Sequence, residues 1–239
     1  MNQAELVLVI GDMNIPYKCP DICEQYKKIL IPNKIQHVLS LGNIGSRETY
    51  DWLKSLSNNF HAVKGEIDEY PNLTETKVVQ IGEFKIGMIH GHQVIPWGDS
   101  EALANIQRQL GCDILLSGHT HINSVSLYDG KYYINPGSIT GAYSPLVPDS
   151  IASFVLMVIQ GDYAIIYLYE LTDPNKKFEV SKLEFTKNSN ELKESKKEEE
   201  EVEEEEEGDA DAEVEEKVEV EERIEEKPQQ KVEEETVDN

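Results

Sequence analysis

Five times in its first 121 residues the chain runs through a short apolar stretch and stops at a glycine beside a ligand-type side chain. These stops are Gly11-Asp12-Met13-Asn14, Gly42-Asn43, Gly65-Glu66, His90-Gly91-His92 and Gly118-His119-Thr120-His121. A continuous apolar run such as Leu6-Val-Leu-Val-Ile10 belongs to a strand covered on both faces, which points to a parallel sheet. In open α/β sheets the carboxyl ends of the strands form the crevice where ligands bind, and glycine lets the chain turn there without a Cβ clash. The five ends are therefore expected to converge. A single histidine at a strand end is ordinarily structural, but Asp, Asn, Glu and several His at equivalent ends are the mixed ligands of a divalent transition-metal site.

The spacing between these stops supplies the rest of the fold. Residues 21–30 are read as a crossover helix, Ile35–Leu41 as the second strand, Ser46–Ser57 as a second helix and Phe60–Val63 as a third strand. Lys77–Ile81 and Phe84–Ile89 flank Gly82-Glu83 as an antiparallel hairpin. Ser100 reads as an N-cap, Ala102–Leu110 as helix and Gly111 as its C-cap, ahead of a buried strand Asp113–Leu116. Two hairpins turning at Asp129-Gly130 and Gly161-Asp162 follow, then a last strand at Phe178–Phe185. Parallel strands with helices followed by antiparallel ones give an α/β fold, a two-sheet sandwich flanked by helices.

Charge divides the chain in two. Of a formal net charge of -24 over 239 residues, the segment 189–239 holds 25 acidic against 7 basic residues, a net of -18. Such a segment cannot bury enough apolar surface to offset the entropy of ordering it, so it is expected to be a disordered acidic tail beyond one domain at 1–188. The tail repels phosphates, and the domain shows no basic patch with interleaved aromatics, so nucleic acid is not an expected partner. Leu6–Ile10 is too short for a signal peptide and Phe154–Ile159 too short for a membrane span. Three cysteines, Cys19, Cys23 and Cys112, read as reduced cytosolic thiols.

In order over residues 6–185, these stops resemble the calcineurin-like metallophosphoesterases, whose pattern runs Asp-x-His, Gly-Asp, Gly-Asn-His-Asp/Glu, His, Gly-His-x-His. The resemblance implies two metals such as Mn, Zn or Fe, and a histidine in the third motif that helps protonate the leaving group. Here His90, His119 and His121 keep their places, while Asn14 stands for a histidine, Asn43 for the metal-bridging aspartate, Glu66 for an asparagine and Ile67 for the catalytic histidine. The neutral amide of Asn43 compensates two cations poorly. Ile67 has no proton to transfer, and loss of a general acid or base costs typically ~10²–10⁴-fold in rate. The metal set carried over is Asp12, Asn14, Asn43, Glu66, His90, His119 and His121. Its occupancy by Zn or Mn is expected to be weak or absent, and no catalytic residue is assigned.

The run Gly91-His-Gln-Val-Ile-Pro-Trp-Gly98, with Tyr133-Ile-Asn-Pro-Gly-Ser138 and Gly141-Ala-Tyr143, is similar to a protein-sorting branch of that family. That resemblance implies the small subunit of the retromer coat, which sorts cargo from endosomes and whose α-solenoid subunit covers the metal-site end. It also implies a cytoplasmic protein reaching the endosome membrane indirectly, through the complex. Val94, Ile95 and Trp97 read as an apolar patch presented to the solenoid. Leu6, Ile29, Leu30, Leu156, Tyr167 and Tyr169 are implied as a second site, for regulators of endosomal small GTPases, although a strand buried between layers would carry the same residues. The expected function is thus a non-catalytic scaffold, with an active metal-dependent phosphodiesterase as the alternative.

Overall fold

The computed structural model describes residues 3–173, 177–187, 189, 191–194 and 198–201. Strands β1 (Glu5–Ile10), β2 (His37–Ser40) and β3 (Asn59–Ala62) run parallel, joined through helices α1 (Glu24–Ile29) and α2 (Arg47–Leu56). Strands β4 (Thr76–Ile81) and β5 (Phe84–Ile89) form the expected hairpin, followed by helix α3 (Ser100–Leu110) and strand β6 (Ile114–Ser117). Then come β7 (Ser124–Tyr128), β8 (Lys131–Asn135), β9 (Ala152–Gln160), β10 (Tyr163–Asp173), β11 (Lys177–Thr186), β12 (Lys193–Glu194) and β13 (Glu198–Glu201). One sheet has the order β12-β11-β10-β9-β1-β2-β3, with β13 also on β11, and the other β4-β5-β6-β8-β7.

The α/β two-sheet sandwich is as expected, and alternation along the strands explains it. Val7 and Val9 of β1 face the second sheet and join Leu39, Met157 and Ile166 against Phe84, Ile86, Ile114 and Ile134. Leu8 and Ile10 face the other way, toward Tyr26 of α1 and Leu53 and Leu56 of α2. A strand with both faces covered needs the unbroken apolar run of β1. Fully burying a side chain such as Leu53 contributes about 1.5–3 kcal/mol. The second sheet's outer face, with Ile89, Leu115 and Tyr133, is covered by Leu103 and Ala104 of α3. Among the described residues no helix is long and apolar enough to cross a membrane.

Local signals resolve as follows. The Ser46 hydroxyl caps α2, accepting from the Thr49 N–H at 3.1 Å. Gly111 ends α3 in the left-handed conformation at φ 60°, as a C-cap glycine does. The N-cap of α3 is Asp99 and not Ser100. Its carboxylate accepts from the Ala102 N–H at 2.8 Å while Ser100 is already helical. Asp129 and Gly130, at φ 51° and 68°, make the two-residue turn between β7 and β8 with positive φ at both central positions. Beyond residue 188 the described residues differ from an uninterrupted tail, since β12 and β13 both pair with β11, whose edge offers unpaired backbone groups. The remainder of the expected tail lies outside the described residues.

Candidate metal centre and its rim

Asp12 sits one residue past the Gly11 turn that ends β1, wholly buried, and the other strand ends close around it. Its Oδ1 lies 3.1 Å from His90 Nε2 and 3.5 Å from His121 Nε2, and accepts from the Asn43 amide at 3.3 Å. Its Oδ2 accepts the His119 backbone N–H at 2.7 Å. Burial opposes the charge on this carboxyl, but hydrogen bonds and charge from His121 and His90 prevail and hold it well below the usual carboxylate range. The Ser138 hydroxyl donates to the Asp12 carbonyl at 2.8 Å, as does the Asn14 amide at 3.0 Å.

His121 fixes its own tautomer. Its Nδ1 lies 2.5 Å from the Ala142 carbonyl, which can only accept, so Nδ1 carries a proton and Nε2 is the ring atom turned toward Asp12. The 3.5 Å between Nε2 and Asp12 Oδ1 is a separation that a shared proton or a cation bridges. A tetrahedral zinc with ligands at about 2.0–2.1 Å spaces them roughly 3.3–3.4 Å apart, which the 3.1 Å and 3.5 Å separations of Asp12 Oδ1 from His90 and His121 approach. Among the described residues no group of three or more His, Cys, Asp or Glu stands as a formed metal cage. The physical reason is visible: Asp12 is already bonded to His90 and Asn43, and Glu66 stays exposed at the rim, 3.5 Å from His119 Nδ1.

A second cluster adjoins the first. His90 Nδ1 lies 3.0 Å from His92 Nδ1, and the His92 and His119 rings are 6.2 Å apart. Burial lowers the affinity of both His92 and His119 for a proton, with the neighbouring His90 adding to the effect. Both rings are thereby favoured in the neutral form that ligates metals. His92 was absent from the carried-over set, although the His-x-His spacing around Gly91 is itself the signal for it.

Asp68 has a role the sequence does not reveal. Its Oδ2 accepts the N–H groups of Asn43 at 2.7 Å and Gly65 at 2.9 Å, and its Oδ1 those of Ile44 at 2.9 Å and Gly45 at 3.2 Å. One buried carboxylate thus clamps the ends of β2 and β3. The Ile67 N–H donates to Asn43 Oδ1 at 3.3 Å, which leaves the Asn43 amide nitrogen pointing at Asp12. Asp12, Asn14, Asn43, His119 and His121 all hold φ between 51° and 70°. Non-glycine residues seldom adopt that region, and Asn, Asp and His are enriched in it.

The apolar lip divides residue by residue. Ile95 is 80% exposed and Trp97 45%, with the Trp97 ring 4.6 Å from that of His119. Val94, expected in the same patch, is buried instead: its N–H donates to the Gly91 carbonyl in a tight turn and its side chain packs against α3. On the other sheet face Leu30, Leu156 and Tyr169 are likewise buried in the core beside α1, with Tyr169 stacked 4.8 Å from Phe154. They are core residues. Leu6, Ile29 and Tyr167 are half-buried at the margin of the same core.

The family described as "Calcineurin-like phosphoesterase superfamily domain" matches residues 6–162. The chain is 39% identical over 186 residues, 76% of this chain and 98% of the relative, to "Vacuolar protein sorting-associated protein 29" of Schizosaccharomyces pombe. It is similar to the solved Vacuolar Protein Sorting 29 of Cryptosporidium parvum at 42% identity and a TM-score of 0.74, covering 77% of this chain and 100% of that one. It is also similar to wild-type Vps29 of Entamoeba histolytica complexed with Zn²⁺, at 49% identity and a TM-score of 0.70, covering 77% and 99%.

Proposed function

The chain belongs to the calcineurin-like phosphoesterase superfamily and, within it, to the vacuolar protein sorting-associated protein 29 family; from that premise we propose that it is a non-catalytic scaffold subunit of the retromer endosomal sorting complex. The observation that carries this reading is the exposed pair Ile95 and Trp97 standing at the lip of the imidazole cluster. Large apolar groups projecting beside a rigid pocket are the anchors on which interfaces concentrate their energy. The α-solenoid subunit, vacuolar protein sorting-associated protein 35, docks over that lip, and the assembly with the other retromer subunits acts in retrograde endosome-to-Golgi transport. The chain is then cytoplasmic and reaches the endosome membrane through the complex. Leu6, Ile29 and Tyr167, half-buried, form the margin offered to regulators of endosomal small GTPases, the phenol of Tyr167 tolerating a wet rim.

The same reading assigns the pocket a structural use. Ile67 stands where the family's proton donor stands, and the Asn43 amide where a bridging carboxylate stands. Asp12, His90 and His121 would hold a single divalent ion, supported by Asn14, Asn43, His119 and Glu66, and an ion there would supply Lewis-acid polarisation of a bound oxygen. That donor spacing favours the second reading, a metal-dependent phosphodiesterase. Pull-down of purified solenoid subunit by the parent chain and by Ile95→Asp separates the two, together with hydrolysis of bis(p-nitrophenyl) phosphate in Mn²⁺. The scaffold requires binding that falls at least ~30-fold in Ile95→Asp, as for an anchor residue worth about 2 kcal/mol, and no metal-dependent rate. Undiminished binding by a folded variant, or turnover abolished in His119→Ala, overturns it.

A further inference from the structure

In the larger sheet β11 pairs with β10 from Lys177 to Thr186, and Phe178, Val180, Leu183 and Phe185 along it are buried. The opposite edge of such a strand is a row of backbone N–H and C=O groups on which an extended chain adds. Here the chain's own continuation takes that edge. The Ser189 N–H donates to the Thr186 carbonyl at 2.9 Å and reverses the chain, the Tyr132 hydroxyl donates to the Ser189 carbonyl at 2.7 Å, and Leu192 packs half-buried on the core between the sheets. From this anchor β12 and β13 lie antiparallel along β11.

The segment that covers the edge fits it poorly. Between the pairs Leu183–Glu194 and Val180–Glu198, β11 moves back three residues while the outer chain moves on four, the one-residue excess of a β-bulge. Strand β13 is four glutamates, a residue depleted in strands. In register, Glu198 and Glu200 stand opposite Val180 and Phe178, which offer a carboxylate nothing, and Glu199 stands opposite Glu179, a pairing of like charges that destabilises a ladder. Of the four, Glu201 alone meets an opposite charge, at Lys177. Such a segment stays on the edge through its tether, which holds it at high effective concentration, rather than through the quality of its pairs.

We propose that the outer edge of β11 is a strand-addition site for an extended peptide of another protein, and that residues 198–201 are its placeholder. The peptide runs antiparallel to β11, with apolar residues opposite Val180 and Phe178, a basic residue between them opposite Glu179, and an acidic residue opposite Lys177. Backbone pairing supplies affinity. The apolar pair supplies selectivity, because it extends the cluster in which Phe178 stacks 5.3 Å from Tyr26.

The test uses the ¹⁵N-labelled full chain and three synthetic peptides: residues 189–201 unchanged, the same peptide with Glu198→Val, Glu199→Lys and Glu200→Val, and a scramble of the second. The second peptide is expected to shift the amide resonances of Lys177–Val180 saturably. The first, which has to displace a tethered copy of itself, should bind at least ~10-fold more weakly, and so should the scramble, which brings the same charge to an acidic chain. Neighbouring backbone N–H groups alternate between the two sides of a strand, so Glu199→Pro with Glu200→Pro in the full chain removes the one that faces β11. The second peptide should bind that variant about 3–10-fold more tightly than the parent. The proposal is overturned if the second peptide leaves those resonances unmoved, if the scramble binds as tightly, or if the double proline variant binds it no better than the parent.

Discussion

Replacing Asp68 by asparagine should destabilise the domain by about 3–6 kcal/mol, a figure that follows from counting its acceptors. Each carboxylate oxygen receives two backbone N–H groups, Asn43 and Gly65 on Oδ2, Ile44 and Gly45 on Oδ1. Whichever oxygen becomes the amide nitrogen, two buried donors then face a donor, and hydrogen bonds to a charged group contribute about 1.5–3 kcal/mol each. Against a total domain stability of about 5–15 kcal/mol this is a large fraction. In a domain of this size about 1 kcal/mol moves Tm by roughly 2–4 °C, so the melting temperature should fall by roughly 6–24 °C. Urea denaturation of the full chain, followed by circular dichroism, should show the midpoint lowered with an unchanged slope. Glu66→Gln is the control. It lies two residues away but at the exposed rim, and should stay within about 0.5 kcal/mol of the parent. Equal midpoints for Asp68→Asn and the parent would refute the clamp.

Three further outcomes follow. Gly45→Ala should leave little soluble protein at 37 °C, because φ is +89° and a Cβ would fall 1.8 Å from the Ile15 carbonyl oxygen; a thermal melt equal to the parent's contradicts this. Tyr26→Phe, which removes the hydroxyl donating to the Ala152 carbonyl at 2.6 Å but keeps the ring stacked on Phe178, should cost about 1–3 kcal/mol by denaturant titration. His61 is held below its ordinary value of 6.5 by burial, then by Lys77 and His37. The unfolded chain therefore binds the extra proton first, so this contribution to stability is complete above about pH 6.5 and is lost as pH falls toward the folded value. His61→Gln should accordingly flatten the decline in urea midpoint between pH 7 and pH 5.5, and an unaltered profile would show the burial to be inconsequential.

The fold was legible because its grammar is local. The apolar run of β1, the Gly82 turn and the Gly111 C-cap each state their conformation within a few residues, and the sheet order follows from them. Asp99 and Ser100 both cap helices well, and only the backbone decides which stands outside the first turn. Val94 and Ile95 are adjacent and equally apolar, yet the turn onto the Gly91 carbonyl sends one inward and leaves the other in solvent. The same ambiguity hid Leu156 and Tyr169, since strands covered on both sides carry apolar residues at every position. That Asp12, His90, His119 and His121 converge was readable from the strand ends, whereas the partners of Asp68 are amides 23 to 25 residues earlier in the chain, together with Gly65, which no side-chain pattern encodes.

The amide at position 43 gives the buried Asp12 carboxylate a neutral hydrogen-bond donor. Its nitrogen offers Asp12 a donor on the oxygen that a cation would otherwise neutralise, and its left-handed backbone is one that aspartate adopts as readily. Restoring a carboxylate there would leave the loop's shape intact while setting two anions against each other in a dry interior. Two carboxylates held that close need a proton or a cation between them, so the loop's stability would depend on pH or on metal supply.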